Sequence, residues 1–204
     1  MKNVTIAKKN RQGRGRPRAF DVEKAVETAM ALFHDRGYDG VGVAELSQAI
    51  GVKAPSLYAA FGSKKGLFER ALERYLTGEG GYVAAALAEG GDVAETIARV
   101  FARAAETFSA PGGLPGCLVS DSTRNCTDPE ARELTAKLGA NTRELVRRRI
   151  ASDYPDQAEI LTDYVLVTLA GLSGAARDGM SAASLKASAG IAAAGFAAQL
   201  PQKG

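Results

Sequence analysis

From residue 19 onward the apolar positions recur every three or four residues, the spacing of one face of an α-helix rather than of a strand. Val22, Ala25, Val26, Ala29, Met30 and Phe33 form the first such stripe. Asp21 is placed to cap it, Phe20 to act as its hydrophobic staple and Gly37 to end it. A short second helix is predicted over about 43–50 and a third over about 55–61, with a turn at Gly51 and with Leu57 and Phe61 on one face. Ser63 can cap a fourth helix that reaches Leu76 or Thr77. After Gly78, Gly80 and Gly81 the composition turns alanine-rich, and helices are predicted over about 82–89, 92–109, 115–124, 129–151, 156–178 and 181–199. The expected fold class is all-α, in three parts: an arm over 1–18, a first helical domain over 19–78 and a second over 79–204.

Composition adds little until charge is divided along the chain. The 204 residues are 46% hydrophobic and 24% charged, with two cysteines, which excludes a disordered chain, a collagen repeat and a disulfide scaffold. The net charge is +3, yet Lys2, Lys8, Lys9, Arg11, Arg14, Arg16 and Arg18 give the first 18 residues seven cations and no acid, leaving the rest net negative. A basic arm with little apolar surface suits a polyanion; a solubilising tail is the plainer alternative. The stretches Val165 to Ala176 and Ala187 to Ala198 are too rich in alanine and glycine for a membrane span, and no apolar leader opens the sequence. A cytoplasmic protein with reduced thiols and no membrane partner is expected. His34, the only histidine, reads as a surface or packing residue. No Cys/His cluster has metal spacing, no phosphate-binding glycine loop follows a strand, and no acid pair suits proton transfer. Neither enzymatic activity nor a cofactor or metal is expected.

The segment from 43 to 61 is a helix-turn-helix candidate, a unit that puts its second helix into the major groove of DNA. Leu46, Ile50, Val52 and Leu57 would form its small core, with Ala44 and Ala49 allowing close helix packing. Lys53, Ala54, Ser56 and Tyr58 are then left to face outward. The next helix opens Ser63-Lys64-Lys65, placing two cations at the positive end of a helix dipole. That arrangement suits a phosphate resting on the helix N-terminus; two solvated lysines at a small penalty are the alternative.

Gly37-Tyr38, Val43-Ala44-Glu45-Leu46, Ala49-Ile50-Gly51-Val52, Ser56-Leu57-Tyr58, Ala60-Phe61 and Ser63-Lys64-Lys65-Gly66-Leu67-Phe68 together resemble the DNA-binding domain of TetR-family transcriptional regulators. The resemblance covers about residues 18–78. It implies a homodimeric repressor that binds double-stranded DNA at a palindromic operator, with a C-terminal helical domain for dimerisation and for a small organic effector lodged among the helices from about 92 to 178. The second helix departs from the family, reading Gly40-Val41-Gly42-Val43 where a phosphate-holding threonine is usual, and Ala59 and Ala60 stand where polar or aromatic residues are common. Base reading then falls to Ala54 and Pro55 against a thymine methyl, Ser56 to a base edge or phosphate, and Lys53 and Tyr58 to the backbone or a guanine. In the arm, Arg14-Gly15-Arg16-Pro17-Arg18 resembles an AT-hook, an extended element of the narrow A·T minor groove.

The last two helices are rich in small residues, among them Gly171, Gly174, Ala175, Gly190, Ala193, Ala194 and Ala197, which permit close approach of a second helix pair. The resemblance makes these the four-helix dimer interface; packing within one chain is the alternative. Cys117 follows a Pro/Gly loop at a predicted helix start, a position that favours thiolate. Its Gly-Cys-Leu setting resembles that of family members sensing electrophiles or oxidants, which would make Cys126 a possible partner thiol. Otherwise Cys117 simply packs, and a non-covalent effector would be held by residues such as Phe101, Phe108 and Leu118. A non-specific DNA-organising protein and a small helical carrier or enzyme are the readings from other classes. Deleting residues 1–18 is expected to lower operator affinity and to erase preference for A·T flanks in binding assays; a uniform loss across flanking sequences would reduce the arm to a phosphate tether.

Overall fold

The computed structural model describes residues 21–201, so the predicted arm, including Arg14, Arg16 and Arg18, lies outside the described residues. The first unit comprises α1 (Val22–Arg36), α2 (Val43–Ile50), α3 (Ala54–Phe61) and α4 (Lys64–Thr77). The second comprises α5 (Tyr82–Ala88), α6 (Val93–Phe108), α7 (Leu118–Asp121), α8 (Pro129–Ala151), α9 (Ala158–Arg177) and α10 (Ala182–Ala197). Short polar side chains start the helices as their chemistry requires. Asp21 accepts from the Lys24 amide at 3.1 Å and Ser63 from the Gly66 amide at 3.0 Å; Asp92 and Glu95 form a reciprocal capping box on α6.

The predicted bounds hold to within two residues except over 115–124, where the helix is the single turn α7 (Leu118–Asp121), three residues short at each end. Gly116 has φ +85°, and an added Cβ would stand 2.6 Å from an Asp121 carboxylate oxygen. The helix therefore cannot begin before Cys117. Ala44 and Ala49 are exposed rather than packed, because α2 is anchored by Leu46 and by α1 instead.

Two apolar clusters hold the chain. The first stacks Phe33 against Phe68 edge to face at 5.0 Å, with Tyr38 beside both, and surrounds them with Leu46, Leu57, Leu67 and Leu72. It also takes in Leu118, Cys126 and Ala131, so the two units share apolar surface across the boundary expected near 78. The second cluster is built on the stripe Val93, Ile97, Val100, Phe101, Ala104 and Phe108 of α6, packed by α5, α9 and α10. Segment Pro155–Arg177 is long and apolar enough by composition to cross a membrane, which corrects the expectation drawn from its alanine and glycine content. Leu161, Val165, Leu169 and Leu172 of this segment are nevertheless core residues of the second cluster.

Beside this shared apolar surface, the junction between the units carries directed polar bonds. Arg177 of α9 donates to the carbonyls of His34 at 3.0 Å and Asp35 at 3.1 Å, two acceptors in the last turn of α1 that the helix itself leaves unsatisfied. The Tyr38 amide donates to the Ser122 carbonyl at 2.8 Å. His34 is buried against the Tyr75 ring, with Nε2 donating to the Gly116 carbonyl at 3.2 Å, so its role is packing plus one directed bond.

Burial, assisted by the Arg177 charge, holds the His34 pKa below its usual value despite the Gly116 hydrogen bond and the opposing fields of Glu79 and Asp121. As pH falls, the unfolded chain takes up the proton before the folded one does. Stability is therefore fully present above about pH 6.5 and is lost as pH falls below it. His34→Gln, whose amide can still donate to Gly116, should flatten the loss between about pH 7 and 5.5 in denaturant titrations; an unchanged pH dependence would contradict the assignment.

Candidate nucleic-acid interface and effector cavity

The chain turns from α2 into α3 through Gly51 at φ +79°, with the Gly51 and Val52 amides both returning to the Ser47 carbonyl at 3.0 and 2.9 Å. Leu57 is fully buried and pins α3 to the first cluster. That single anchor fixes which face points out: Lys53, Pro55, Ser56 and Tyr58 are exposed and Ala54 is half-buried. Tyr58 is 47% exposed, an unusual position for an aromatic ring on a short helix unless something else covers it. The five residues expected to reach DNA thus lie on one outward surface.

The two lysines behind them are placed differently from the other candidates. Lys64 Nζ sits 4.0 Å above the Tyr38 ring. Burial lowers its pKa while the nearby Asp39, Cys126 and Asp128 oppose that shift. Lys65 Nζ pairs with Glu130 at 2.9 Å. The cations at the start of α4 thus have partners inside the chain, Lys64 on the Tyr38 ring and Lys65 on Glu130 at the start of α8.

A cavity of about 300 Å³ opens in the second unit, between α4, α5, α8 and α9. Its apolar wall includes Leu76, Val83, Phe108, Leu138, Leu145, Leu166 and Leu169, and its polar groups are Tyr75, Tyr82, Cys117, Ser120, Asn141 and Thr142; no lining residue is charged. Tyr75 is 1% exposed, and among the described residues its hydroxyl makes no well-formed hydrogen bond, with the Cys117 thiol beside it. Burial raises the Tyr75 and Tyr82 pKa values, with Cys117 the next contributor at each. Both rings are therefore neutral donors beside a thiol. Gly80 makes room for this arrangement, since a Cβ there would overlap the Tyr75 ring at 2.2 Å.

Cys117 and Phe108 line this cavity, whereas Phe101 and Leu118 do not. Phe101 points from the same α6 stripe into the core toward Tyr164 and α10, and Leu118 packs into the first cluster. Cys126 is also elsewhere. Its thiol donates to Asp39 Oδ1 at 3.2 Å in a polar cleft between the units, and burial raises its pKa. The two thiols face different spaces, so the expected pairing of Cys117 with Cys126 is not assembled. Nor does α7 offer the extended helix N-terminus proposed to activate Cys117: it is one turn long, and the Asp121 carboxylate takes the Cys117 amide at 3.0 Å.

Of the small residues expected at a dimer interface, Gly171, Gly190, Ala194 and Ala197 are exposed, Ala175 and Ala193 pack partly on their own core, and Gly174 borders the polar cleft. The same two helices expose Ile160, Val167 and Ile191 at 68, 72 and 75%, large apolar residues that the small-residue pattern had overshadowed. Tyr75, Tyr82, Asn141 and Thr142 were also missed, because helical spacing marks which face is inward and not which polar tips meet in a void.

Comparison with known proteins agrees with this geometry. Residues 25–71 match the family model for bacterial regulatory proteins of the tetR family. The HTH-type transcriptional repressor BdcR of Escherichia coli strain K12 is 38% identical over 187 residues, covering 92% of this chain and 94% of that one. The repressor ComR of the same organism is 31% identical over 193 residues, covering 88% and 90%. Among solved structures, a cysteine-substituted TetR family regulator, CifR, in complex with 26-bp operator DNA superposes with a TM-score of 0.76 at 34% identity, covering 88% of this chain and 98% of that one. With its helix-turn-helix matched by the family model and nearly its whole length by these relatives, the chain belongs to the TetR family of bacterial regulatory proteins.

Proposed function

We propose that this protein is a homodimeric transcriptional repressor that holds a palindromic operator and releases it when a small, uncharged organic molecule enters the cavity beside Cys117. One observation carries the reading: α4 belongs to both sites. Its N-terminus follows α3 directly, while Tyr75 and Leu76 in its last turn form part of the cavity wall. A ligand that displaces Tyr75 therefore acts on the helix that positions α3. Because no lining residue is charged, an ionic ligand would lose hydration without finding a counter-ion, whereas a neutral one with a single acceptor satisfies the Tyr75 hydroxyl. Coupling of about 1–3 kcal/mol, a 5- to 150-fold change in affinity, suffices for derepression.

The exposed faces of α9 and α10 support two-fold assembly, since Ile160, Val167 and Ile191 form apolar surface that a second copy would cover. Two α3 helices must then stand about 34–36 Å apart to enter successive major grooves. In this reading the protein acts in the cytoplasm as a regulator rather than an enzyme; two relatives of nearly its full length are named transcriptional repressors. The arm 1–18 adds minor-groove contact. Lys64 and Lys65 already contact Tyr38 and Glu130, so they contribute less to a phosphate than a free pair would.

A second reading of the same cavity has Cys117 reacting with an electrophile or oxidant. The half-buried thiol on the cavity wall beside two phenol hydroxyls favours it. Under that reading Cys117→Ser represses normally and no longer releases DNA on treatment, while Cys117→Ser that still releases assigns the cavity to a non-covalent ligand.

Footprinting on DNA flanking the gene tests the repressor function: one protected palindrome supports it, and uniform coating without a site would make the protein a DNA organiser. On that site Tyr58→Ala should cost about 1–3 kcal/mol of affinity with fold and dimer intact, and Lys53→Ala should make the slope of log affinity against log salt shallower by about one. Wild-type affinity in either variant removes that residue from the interface.

A further inference from the structure

The cavity has a second mechanical exit besides α4, through the segment Pro115 to Ser122. On one side this segment supplies Cys117, Val119 and Ser120 to the cavity wall. On the other it is bonded to the end of α1: the Gly116 carbonyl accepts from His34 and the Ser122 carbonyl from the Tyr38 amide. Asp121 lies between the two sides. Its side chain is 5% exposed, and Oδ2 accepts from the Cys117 amide at 3.0 Å and from the Ser173 hydroxyl at 2.7 Å. Arg124 reaches Oδ1 at 3.2 Å, and the Arg177 guanidinium lies at 4.0 Å from Oδ2.

Arg177 in turn donates to His34, Asp35 and Pro115 carbonyls at 3.0, 3.1 and 3.4 Å. A cation at those carbonyls also complements the negative end of the α1 dipole. Gly116 is packed directly against the pair: a Cβ there would meet the Asp121 carboxylate at 2.6 Å and the Arg177 Cγ at 2.7 Å. Movement of Cys117 is passed on through its amide bond to Asp121. It shifts the Asp121 carboxylate, and through Arg177 it shifts the carbonyls that end α1.

We propose that Asp121 and Arg177 are positioning residues that couple the cavity to the DNA-binding unit through α1, by a route separate from α4. This rests on the cavity being the effector site. When Cys117 is displaced, Arg177 leaves the α1 carbonyls, the bond between Tyr38 and Ser122 opens, and the first unit rotates relative to the second. Repression requires the pair closed, and an occupied cavity opens it.

The test uses the full-length dimer in a Cys126→Ser background, with Cys117 loaded by N-ethylmaleimide, a small uncharged thiol reagent, and loading confirmed by mass. Amide exchange at residues 34–38 and operator affinity are both measured. Loading should speed exchange at Tyr38 at least five-fold and weaken operator binding by a similar factor. In Arg177→Met, exchange at Tyr38 should already be fast and change less than two-fold on loading, the operator response should shrink with it, and Arg177→Lys should restore part of both. Cys117→Trp, which fills the cavity without a reagent, should reproduce the loaded exchange pattern if the thiol proves unreactive. Exchange at Tyr38 that ignores both loading and Cys117→Trp overturns the proposal, as does an Arg177→Met variant that responds like the parent. Faster exchange at Tyr38 with operator affinity unchanged leaves the coupling standing and rejects the effector role of the cavity.

Discussion

The last turn of α1 ends in carbonyls that the helix cannot satisfy, and Arg177, from the far end of the chain, satisfies two of them. Much else follows from that contact. It fixes the end of α1, and with it the loop that carries Tyr38 onto the Phe33 and Phe68 rings. It also draws α9 against the segment holding Cys117, so the cavity wall and the DNA-binding unit are set by the same guanidinium. An apolar junction of equal area would hold the units together with less directional constraint. Hydrogen bonds to single carbonyls define one geometry and lose most of their strength when it shifts.

The distribution of charge follows the same division of labour. The outward face of α3 keeps Lys53 and the hydroxyls of Ser56 and Tyr58 exposed, ready for phosphate and base edges. The cavity keeps charge out altogether. Between them, the junction holds several charges on partners: Lys65 on Glu130, Arg177 on Asp121 and backbone carbonyls, and Asp39 on Thr127, whose amide hydrogen bond holds the Asp39 pKa below its usual value with help from Cys126. The exposed pair of Lys65 with Glu130 contributes little stability by itself. The effect of these contacts is orientation.

The helices were legible in the sequence because caps and glycines are local signals, and α3 was placed correctly because Leu57 alone decides which side is buried. Contacts that join distant parts of the chain were not legible. Nothing near Lys65 announces Glu130, and nothing near Gly116 announces the Arg177 side chain against which it packs. Phe101 and Phe108 share one helical stripe, yet they are seven residues apart on a helix flanked by different neighbours, so one lines the void and the other the core. Spacing could not separate them. The cavity lies where Gly139, with open space beside its Cα, faces the Tyr75 and Tyr82 rings from other helices, a property of packing that no single segment encodes.

The central claim is that occupation of the cavity and possession of DNA oppose each other, and thermodynamic linkage makes that claim measurable from the cavity side. A neutral solvatochromic dye can be titrated into the dimer with and without saturating operator, using Cys117→Trp to identify the signal that comes from the cavity. Operator should weaken dye binding at least five-fold, and saturating dye should weaken operator binding by the same factor. A dye that enters the cavity with equal affinity in both states would contradict the account.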